Sequence, residues 1–484
     1  MLGIPERGRS SEEIFNTLDS YRSNDLAAKG GRVWAYVFDS GRPDVAEVGE
    51  RAYTALLHEN GLDPTVFPSL LRLENDVVAM ALSHLSGPAG SCGTFTSGGT
   101  ESIVLAVKAA RDWGRRVRGV DQPNIVIPST GHAAFHKAGH YLGVEVRTVP
   151  VKTATWTADV DAMDVACDEQ TVMLVGSAVS YAHGVTDPIA EIGAVAERRG
   201  ILCHVDGCIG GFVLPYFRRL GASITDFDFS VSGVTSISMD FHKYGFAPKG
   251  ASVVLYRDND VRKHQFFACA DWTGYTIINT AFQSSKSGGP VAACWAVLNH
   301  VGDDGYLDIF ERTLRATRAI VDGVEAIDGL DVMGRPESSL VAVSSDTINV
   351  FKLADRMRSR GWYIQPQLSM AGSRRNVHFS VGPSSLDQAR AMLTDLEVEV
   401  DALRADGPPV ADPELRDLLA SIDPEALDAG TFDVLLQGAG LGVGDSELPE
   451  QTAEINALLD QAPPALTEAV LIEYFSRIFM PSMD

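Results

Sequence analysis

Short apolar runs alternate with amphipathic segments along the middle of the chain. The apolar runs predict strands, and the segments with apolar residues three and four apart predict helices. Strands are predicted at 124–128, 144–150, 171–177, 201–206, 230–240 and 251–257, with helices at 133–143 and 189–200. Strands that alternate with helices form a mostly parallel sheet with helices on both faces. The pattern therefore predicts an α/β fold.

The flanking regions predict a different organisation. Helical periodicity occurs before the alternating region, at 10–23, 43–58 and 69–85, and again in a long stretch over 292–327. A smaller α+β unit follows, with strands near 330–334, 339–345 and 376–381 and a helix at 348–360. Helices near 450–461 and 465–478 end the chain. We expect an N-terminal arm (1–55), a large domain (56–310), a small C-terminal α+β domain (311–405) and an acidic helical tail (406–484).

Charge and composition limit the possible partners. Acidic residues outnumber basic ones by 64 to 40, which gives a net charge of -24. Nucleic acids and anionic membranes select basic surfaces, so neither is expected as a partner. No apolar run reaches the length of a membrane-spanning helix, and no membrane span is predicted. The six cysteines lack zinc-ligand spacing, so we predict no metal site and, from reduced thiols, a cytoplasmic protein.

A glycine turn leads into a helix in the segment TSGGTES. Backbone N–H groups at the positive end of a helix form a ready anion site. The residues of this turn are Ser97, Gly98, Gly99 and Thr100. The alternative is an ordinary helix cap with Glu101 in the first turn. A P-loop is excluded because neither GKS nor GKT follows.

Three single residues stand at or just after the ends of predicted strands. Asp206 ends an apolar strand, at the edge where open α/β sheets bind ligands, although it could also cap the following turn. His132 could stack on an aromatic ligand or could simply pack in the core. Lys243 could reach the surface along its apolar stem, or it could be held inward for chemistry, since burying an unpaired ammonium is costly.

These features together match the needs of pyridoxal 5′-phosphate (PLP). The phosphate needs N–H groups at a helix end, and the ring needs a stacking partner. The pyridine nitrogen needs an anion that keeps it protonated, and the aldehyde needs a lysine amine. The order of glycine turn, histidine, aspartate and lysine makes the combination more specific than any single part.

At this point the chain resembles a known family. The matching segments are FPSLLRLENDVVAMALSHL, TSGGTESIVLAVKAARD, HAAFHKAGHYLGVEV, HVDGCIGGF, GVTSISMDFHKYGFAPKGASVVLY and AACWAVLNHVGDDGY. They resemble the group II PLP-dependent decarboxylase superfamily, and within it the sphingosine-1-phosphate lyases, in register over roughly 55 to 310. The resemblance implies a type I PLP-dependent transferase fold, similar to aspartate aminotransferase.

The resemblance also implies roles for individual residues. Lys243 would form the internal aldimine with PLP, Asp206 would pair with the pyridine nitrogen, and His132 would stack on the ring. The cofactor phosphate would be held by the glycine turn, with His242 close by. Lys249 would lie near a small-molecule amine substrate. The loop QSSKSGGP would complete the site of a second copy through Ser285, which implies a homodimer with shared active sites.

Several positions depart from the family pattern at the substrate end. Asn60 matches, but Asp63 replaces the histidine that binds the substrate phosphate in the family, and like charges repel. Lys286 replaces an arginine and loses its bidentate geometry. The upstream substrate tyrosine falls on Phe38, with Tyr36 close by. In HVDGC, Gly207 replaces the usual alanine, which predicts extra room near the ring.

These departures leave the cofactor end intact and alter the substrate end. We therefore expect a carbon–carbon lyase that cleaves, or in reverse forms, the Cα–Cβ bond of a β-hydroxy amine through an external aldimine and a quinonoid. Its substrate could differ from a phosphorylated long-chain base. The alternative is an amino-acid decarboxylase that releases carbon dioxide. A base near the β-hydroxyl, from Lys249, Tyr244 or Tyr275, favours the lyase.

Overall fold

The chain forms alternating strands and helices followed by a smaller mixed unit and a helical tail. A computed structural model describes residues 3–407, 413–427, 429–438 and 451–481. The strands are β1 (Cys92–Thr96), β2 (Asn124–Pro128), β3 (Glu145–Val149), β4 (Val151–Lys152), β5 (Thr157–Ala158), β6 (Thr171–Ser177), β7 (Leu202–Asp206), β8 (Ser236–Asp240), β9 (Ser252–Tyr256), β10 (Phe267–Cys269), β11 (Ile277–Asn279), β12 (Asp331–Val332), β13 (Leu340–Ser344), β14 (Gln365–Gln367) and β15 (Asn376–Ser380).

Helices cover the sheet and also form the described part of the C-terminal tail. They are α1 (Ser11–Tyr21), α2 (Pro43–Ala55), α3 (Pro68–His84), α4 (Gly99–Trp113), α5 (Ala134–Leu142), α6 (Val160–Ala166), α7 (Ile189–Arg199), α8 (Gly210–Arg219), α9 (Asn259–Arg262), α10 (Gly288–Glu325), α11 (Val350–Ser359), α12 (Ser385–Leu403), α13 (Pro413–Ser421), α14 (Ala429–Gly438), α15 (Ala453–Leu459) and α16 (Pro464–Ile478). None of the helices in the described part of the chain is both long and apolar enough to cross a membrane.

Seven strands form the central sheet in the order β1-β9-β8-β7-β6-β2-β3. The strands from β3 to β8 in this order run parallel, whereas β9 and β1 pair antiparallel. Every residue of β2, β6, β7, β8 and β9 is buried. Burial on both faces explains why these strands read as continuous apolar runs. The predicted α/β fold with a mostly parallel sheet is confirmed.

A second sheet, antiparallel and ordered β12-β13-β15-β14, supports the smaller unit. Its hydrophobic core is separate from that of the central sheet, and both cores reach into α10. Leu314 belongs to the first core and Ala316 to the second. The long helix therefore joins the two units. It bends at Gly302, where φ is 66°.

One part of the N-terminal arm packs on the smaller unit, whereas α2 reaches the first core through Val45. Trp34 is fully buried in the second core. Its backbone N–H donates to the carbonyl of Tyr363 at 2.8 Å, and its carbonyl accepts from the N–H of Ser380 at 2.6 Å. The arm thus continues past this sheet toward the large unit.

The tail contacts the smaller unit through α15. The carboxylate of Asp355, on α11, accepts hydrogen bonds from the backbone N–H groups of Thr452 and Ala453. Asp460, just after α15, accepts from the N–H and the hydroxyl of Ser369. The helices α15 and α16 match the predicted pair, whereas α13 and α14 were not predicted.

Candidate active site

A cavity of about 440 Å³ opens at the carboxyl ends of β6, β7 and β8. This is the edge where open α/β sheets bind ligands. Its lining includes the glycine turn and a set of polar and charged side chains. These residues are Ser97, Gly98, Gly99, Thr100, Glu101, His132, Tyr181, Asp206, Cys208, Asp240, His242, Lys243 and Lys249. The structure thus brings together all the cofactor residues that the sequence predicts, except Ser285.

The glycine turn presents the N-terminus of α4 to the cavity. Gly98 is the N-cap and no side chain caps the helix. The hydroxyl of Ser97 is already engaged, because it donates to Oε2 of Glu101 at 2.7 Å, and the N–H of Ser97 donates to the same oxygen. The other oxygen of Glu101 accepts from the N–H of Phe282 at 2.8 Å. Glu101 therefore holds the turn in place, and the backbone of the first helical turn is left to bind an anion.

Lys243 points into the cavity. It follows β8 by three residues, and its Nζ lies 2.9 Å from Oδ2 of Asp240, a side chain only 1% exposed. Burial alone would lower the pKa of Lys243, but Asp240, Cys208 and Asp206 raise it above the ordinary lysine value. The lysine is thus an inward-facing cation.

Asp206 stands at the end of β7 on the cavity floor. Its Oδ1 accepts from the N–H of Cys208 at 3.1 Å and from the hydroxyl of Ser238 at 3.4 Å. Behind it, His204 is fully buried, and burial lowers its pKa to about 4. Asp206 also caps the turn that follows β7, as the sequence allowed, because the N–H of Cys208 belongs to that turn.

His132 stands at the cavity entrance with its ring exposed. Its Nδ1 accepts from the N–H of Ala134 at 3.1 Å, at the start of α5. This bond fixes the orientation of the exposed ring. His132 can therefore stack on a planar ligand, and a packing role in the core does not describe it.

His242 and Lys249 complete the basic side of the cavity. Nδ1 of His242 is buried and has no hydrogen-bond partner among the described residues. Nζ of Lys249 donates to the carbonyl of His242 at 3.2 Å and lies 5.0 Å from the ring centroid of Phe38. Burial, with Lys243 nearby, lowers the pKa of Lys249. A less basic lysine is the better proton acceptor near neutral pH.

The remaining substrate candidates lie outside this cavity of their own chain. Asp63 is exposed, and its carboxylate accepts from the N–H and hydroxyl of Thr65. The ammonium of Lys286 lies 2.6 Å from Glu74 and donates to the carbonyl of Phe95. Asn60 pairs with Ser287 through the backbone.

Two further candidates, Tyr275 and Ser285, are exposed. Tyr275 lies in the hairpin of β10 and β11 and is 58% exposed. Ser285 lies in the loop before α10. Neither lines the cavity of its own chain.

The arm residues approach the cavity indirectly. Phe38 packs edge-on against Tyr244, with ring centroids 5.0 Å apart. Tyr36 has a left-handed backbone, with φ of 62°, and its ring lies 6.1 Å from that of Tyr363. Tyr244 is buried and its hydroxyl donates to the carbonyl of Val381, so it does not face the cavity.

The structure adds cavity residues that the sequence did not single out, above all Tyr181. It follows β6 by four residues, so its place after a strand of the parallel sheet was a usable signal. Its hydroxyl donates to Oε1 of Gln365 at 2.6 Å, and its ring stacks on His378 at 4.6 Å. Asp240 was also missed, although it precedes Lys243 by three residues.

The expectation of extra room at Gly207 is wrong. A Cβ atom there would lie 2.9 Å from the carbonyl oxygen of Ser238 and 3.3 Å from Cα of Gly211. The position therefore faces the sheet backbone and not the ring site.

The residues present fit PLP. The uncapped N-terminus of α4 suits a phosphate, and a phosphate there would give Nδ1 of His242 the partner that it lacks among the described residues. A Cβ at Gly98 would be 3.6 Å from Cε1 of His242, so the histidine faces this turn. Asp206, His132 and Lys243 surround the remaining space as ring-nitrogen partner, stacking ring and amine.

Comparisons with known proteins agree with this geometry. Residues 48–345 match the family described as the pyridoxal-dependent decarboxylase conserved domain. Residues 413–477 match a pyridoxal-dependent enzyme C-terminal putative HTH domain. Arg416 and Arg477 are the only basic residues in that range, whose many acids do not suit nucleic acid.

The chain is also similar to sphingosine-1-phosphate lyases. It is 41% identical to that of Drosophila melanogaster over 74% of this chain and 66% of the relative, which is just under two thirds. It is 39% identical to that of rice (Oryza sativa subsp. japonica) over 83% of this chain and 75% of the relative.

Solved structures give the same result. The Burkholderia pseudomallei sphingosine-1-phosphate lyase is 35% identical, with a TM-score of 0.80 over 84% of this chain and 94% of that chain. A Lactobacillus brevis glutamate decarboxylase, 21% identical with a TM-score of 0.74 over 84% and 95%, shares the fold. The predicted cofactor is confirmed. The chain belongs to the pyridoxal-dependent decarboxylase family and is a PLP-dependent lyase related to the sphingosine-1-phosphate lyases.

Proposed function

We propose that this lyase cleaves, or in reverse forms, the Cα–Cβ bond of a β-hydroxy amine. The observation that carries the proposal is the single cavity in which Lys243, Asp206 and His132 meet the N-terminus of α4, with Lys249 beside them. The similarity to sphingosine-1-phosphate lyases supports carbon–carbon cleavage over decarboxylation.

In this proposal the residues divide the work of holding PLP. Lys243 provides the amine for the aldehyde, Asp206 keeps a proton on the pyridine nitrogen, and His132 stacks on the ring. Gly98, Gly99 and Thr100 bind the phosphate through their backbone, with His242 beside them. Because the Ser97 hydroxyl is engaged by Glu101, we assign Ser97 a part in shaping the turn.

PLP, when bound, withdraws electrons from the carbon next to the substrate nitrogen. The chain must then remove the proton of the β-hydroxyl group. Lys249 is suited to this step because burial and Lys243 lower its pKa. Tyr181, whose hydroxyl is fixed by Gln365, is placed to hold the same hydroxyl group. Tyr244 faces the core, so it is no longer a candidate for the base.

We propose that the active form is a homodimer in which each site is completed by the other subunit. The hairpin of β10 and β11 exposes Phe267, Trp272 and Ile278, each about half exposed or more. Apolar side chains in one exposed hairpin are typical of an interface. Tyr275 and Ser285 lie on the same stretch, so a partner subunit would bring them to the site. The free cysteines support a cytoplasmic setting.

A product analysis tests the reaction. Purified protein loaded with PLP is incubated separately with sphingosine-1-phosphate, with an unphosphorylated β-hydroxy amine and with an L-amino acid. The proposal expects an aldehyde from a β-hydroxy amine. Carbon dioxide from the amino acid, with no aldehyde from either amine, would instead establish a decarboxylase.

A further inference from the structure

Asp240 is a buried acid on the cavity floor beside Lys243. It ends β8, and its side chain is 1% exposed. One oxygen, Oδ2, lies 2.9 Å from Nζ of Lys243 and 3.8 Å from Nε2 of His242. Burial would raise the pKa of Asp240, but Lys243 and His242 lower it below the ordinary value, so the carboxylate is ionised.

The surrounding backbone is built around this carboxylate. A Cβ at Gly99 would lie 2.9 Å and 3.0 Å from the two oxygens of Asp240 and 2.7 Å from Sγ of Cys208. Only glycine fits, and the carboxylate thus lies against the positive end of α4. The second oxygen, Oδ1, has no hydrogen-bond partner among the described residues. Burying a carboxylate oxygen without a hydrogen bond is costly, so the carboxylate needs the nearby Lys243 ammonium to offset that cost.

We propose that Asp240 is the positioning residue of Lys243, whose nitrogen it holds at one point on the cavity floor and supplies with a negative partner. The inference rests on the proposed role of Lys243. A lysine side chain has many rotamers, and holding its nitrogen in one place spares the entropy of finding it at each turnover. Asp206 is left free for the ring nitrogen, so the two aspartates have separate tasks.

Other charged and titratable groups face the same nitrogen. These groups are His242 and Lys249 from the segment after β8, Asp206 and Cys208 from the end of β7, and Tyr181 from the end of β6. None of these groups forms an ion pair with Lys243 within 4 Å, and in the described part of the chain only Asp240 does. Replacing it should therefore have the largest effect on how the lysine nitrogen binds protons.

The test follows the visible absorption of bound PLP in the holoenzyme as pH is varied. Asp240→Asn keeps the size and removes the charge, so the titration midpoint should fall by at least about one pH unit. Asp240→Glu should move the midpoint back toward the wild-type value. Asp228→Asn is the matched control, because Asp228 is also buried (4% exposed) but binds Ser86 and Ser230 outside the cavity.

An unchanged midpoint in Asp240→Asn would overturn the inference. If that variant does not fold, a crystal structure of the wild-type protein decides instead: a carboxylate within about 3.2 Å of the lysine nitrogen supports it, and one beyond about 4 Å overturns it. Lys243→Ala separates the two proposals. If Lys243→Ala loses the visible band while Asp240→Asn has no effect, only the proposed role of Asp240 is wrong. If Lys243→Ala keeps the band, the proposed role of Lys243 is wrong.

Discussion

The hydroxyl of Tyr181 donates a 2.6 Å hydrogen bond to Oε1 of Gln365 and so joins the cavity wall to the sheet of the smaller unit. His378 strengthens the link, because its Nε2 donates to the carbonyl of Tyr181 at 2.8 Å while the two rings stack. The small unit therefore fixes a tyrosine that faces the substrate space.

Tyr181→Phe should lower kcat while leaving PLP bound. The hydroxyl is lost from the cavity, but the ring still stacks on His378, so the wall is preserved. We expect a loss on the order of 10² in kcat, because the reacting hydroxyl group is no longer held in position. Steady-state kinetics and cofactor content measure the two effects. Equal kcat values for the variant and the wild type would exclude a role for this hydroxyl.

Glu101→Gln should weaken PLP binding by loosening the glycine turn that Glu101 holds. The carboxylate accepts three hydrogen bonds, two from Ser97 and one from Phe282. An amide can keep only part of this set, so the turn should loosen and the Kd for PLP should rise about tenfold, with a loss of about 1–3 kcal/mol in the free energy of unfolding. Fluorescence titration with PLP and urea denaturation measure both. Unchanged PLP affinity would show that the turn needs no such support.

Asp63→His should improve turnover of phosphorylated amino alcohols if Asp63 faces the substrate of the partner subunit. At an effective dielectric near 20, two unit charges about 4 Å apart interact by roughly 4 kcal/mol, so removing the repulsion should lower KM at least several-fold. Asp121→His, on an exposed loop, is the control. The same KM in both variants would mean that Asp63 does not face the substrate phosphate.

Ile278→Asp should dissociate the proposed dimer. Ile278 lies on β11 and is 61% exposed, and a carboxylate there would be buried without a partner in the interface. The dimer Kd should rise at least about tenfold, and activity should fall with it. Val165→Asp, at an 86% exposed position on α6, is the control. Sedimentation velocity compares them, and a dimer as stable as the wild type would place the interface elsewhere.

Acid should destabilise the protein through buried histidines. Burial lowers the pKa of His204 from 6.5 to about 4, so its contribution to stability is complete above pH 6.5 and is lost progressively as pH falls from 6.5 through 4. Between pH 7 and pH 5 this one group should cost about 2 kcal/mol of the free energy of unfolding.

His204→Asn should reduce that acid loss by the same amount. His183 and His378, whose pKa values are also lowered to about 4, remain in the variant and keep the rest of the loss. Urea denaturation at the two pH values measures the difference. An unchanged pH dependence in His204→Asn would show that the pKa of this histidine is the same in the folded and the unfolded protein.

Local sequence patterns predicted six of the seven strands of the central sheet and missed β1. Five of the six, β2, β6, β7, β8 and β9, are buried along their whole length and so are strongly apolar. The strand predicted over 230–240 is shorter, Ser236–Asp240, because Gly233 packs directly on the backbone of Gly193. That contact joins residues forty positions apart, and no local pattern contains it. The hairpin of β10 and β11 was missed for a related reason, since its apolar residues are exposed and do not alternate with buried ones.

The candidate site was predictable where a residue follows a strand of the parallel sheet. Asp206 ends such a strand, and His132 and Lys243 follow one within a few residues. Tyr181 also follows one, so the same rule could have found it. The partners of Lys286 could not be predicted, because Glu74 lies more than two hundred residues away in the chain. The link from Asp240 to Lys243 was near in sequence, but only the structure shows that the carboxylate points inward.

The identity of the lysine that binds the cofactor tests the account most directly. The holoenzyme is reduced with borohydride, digested, and its peptides are analysed by mass spectrometry for a pyridoxyl group. The account predicts the modification on Lys243, within the peptide that follows β8. A modification on Lys249, or on any lysine outside the cavity, would contradict it.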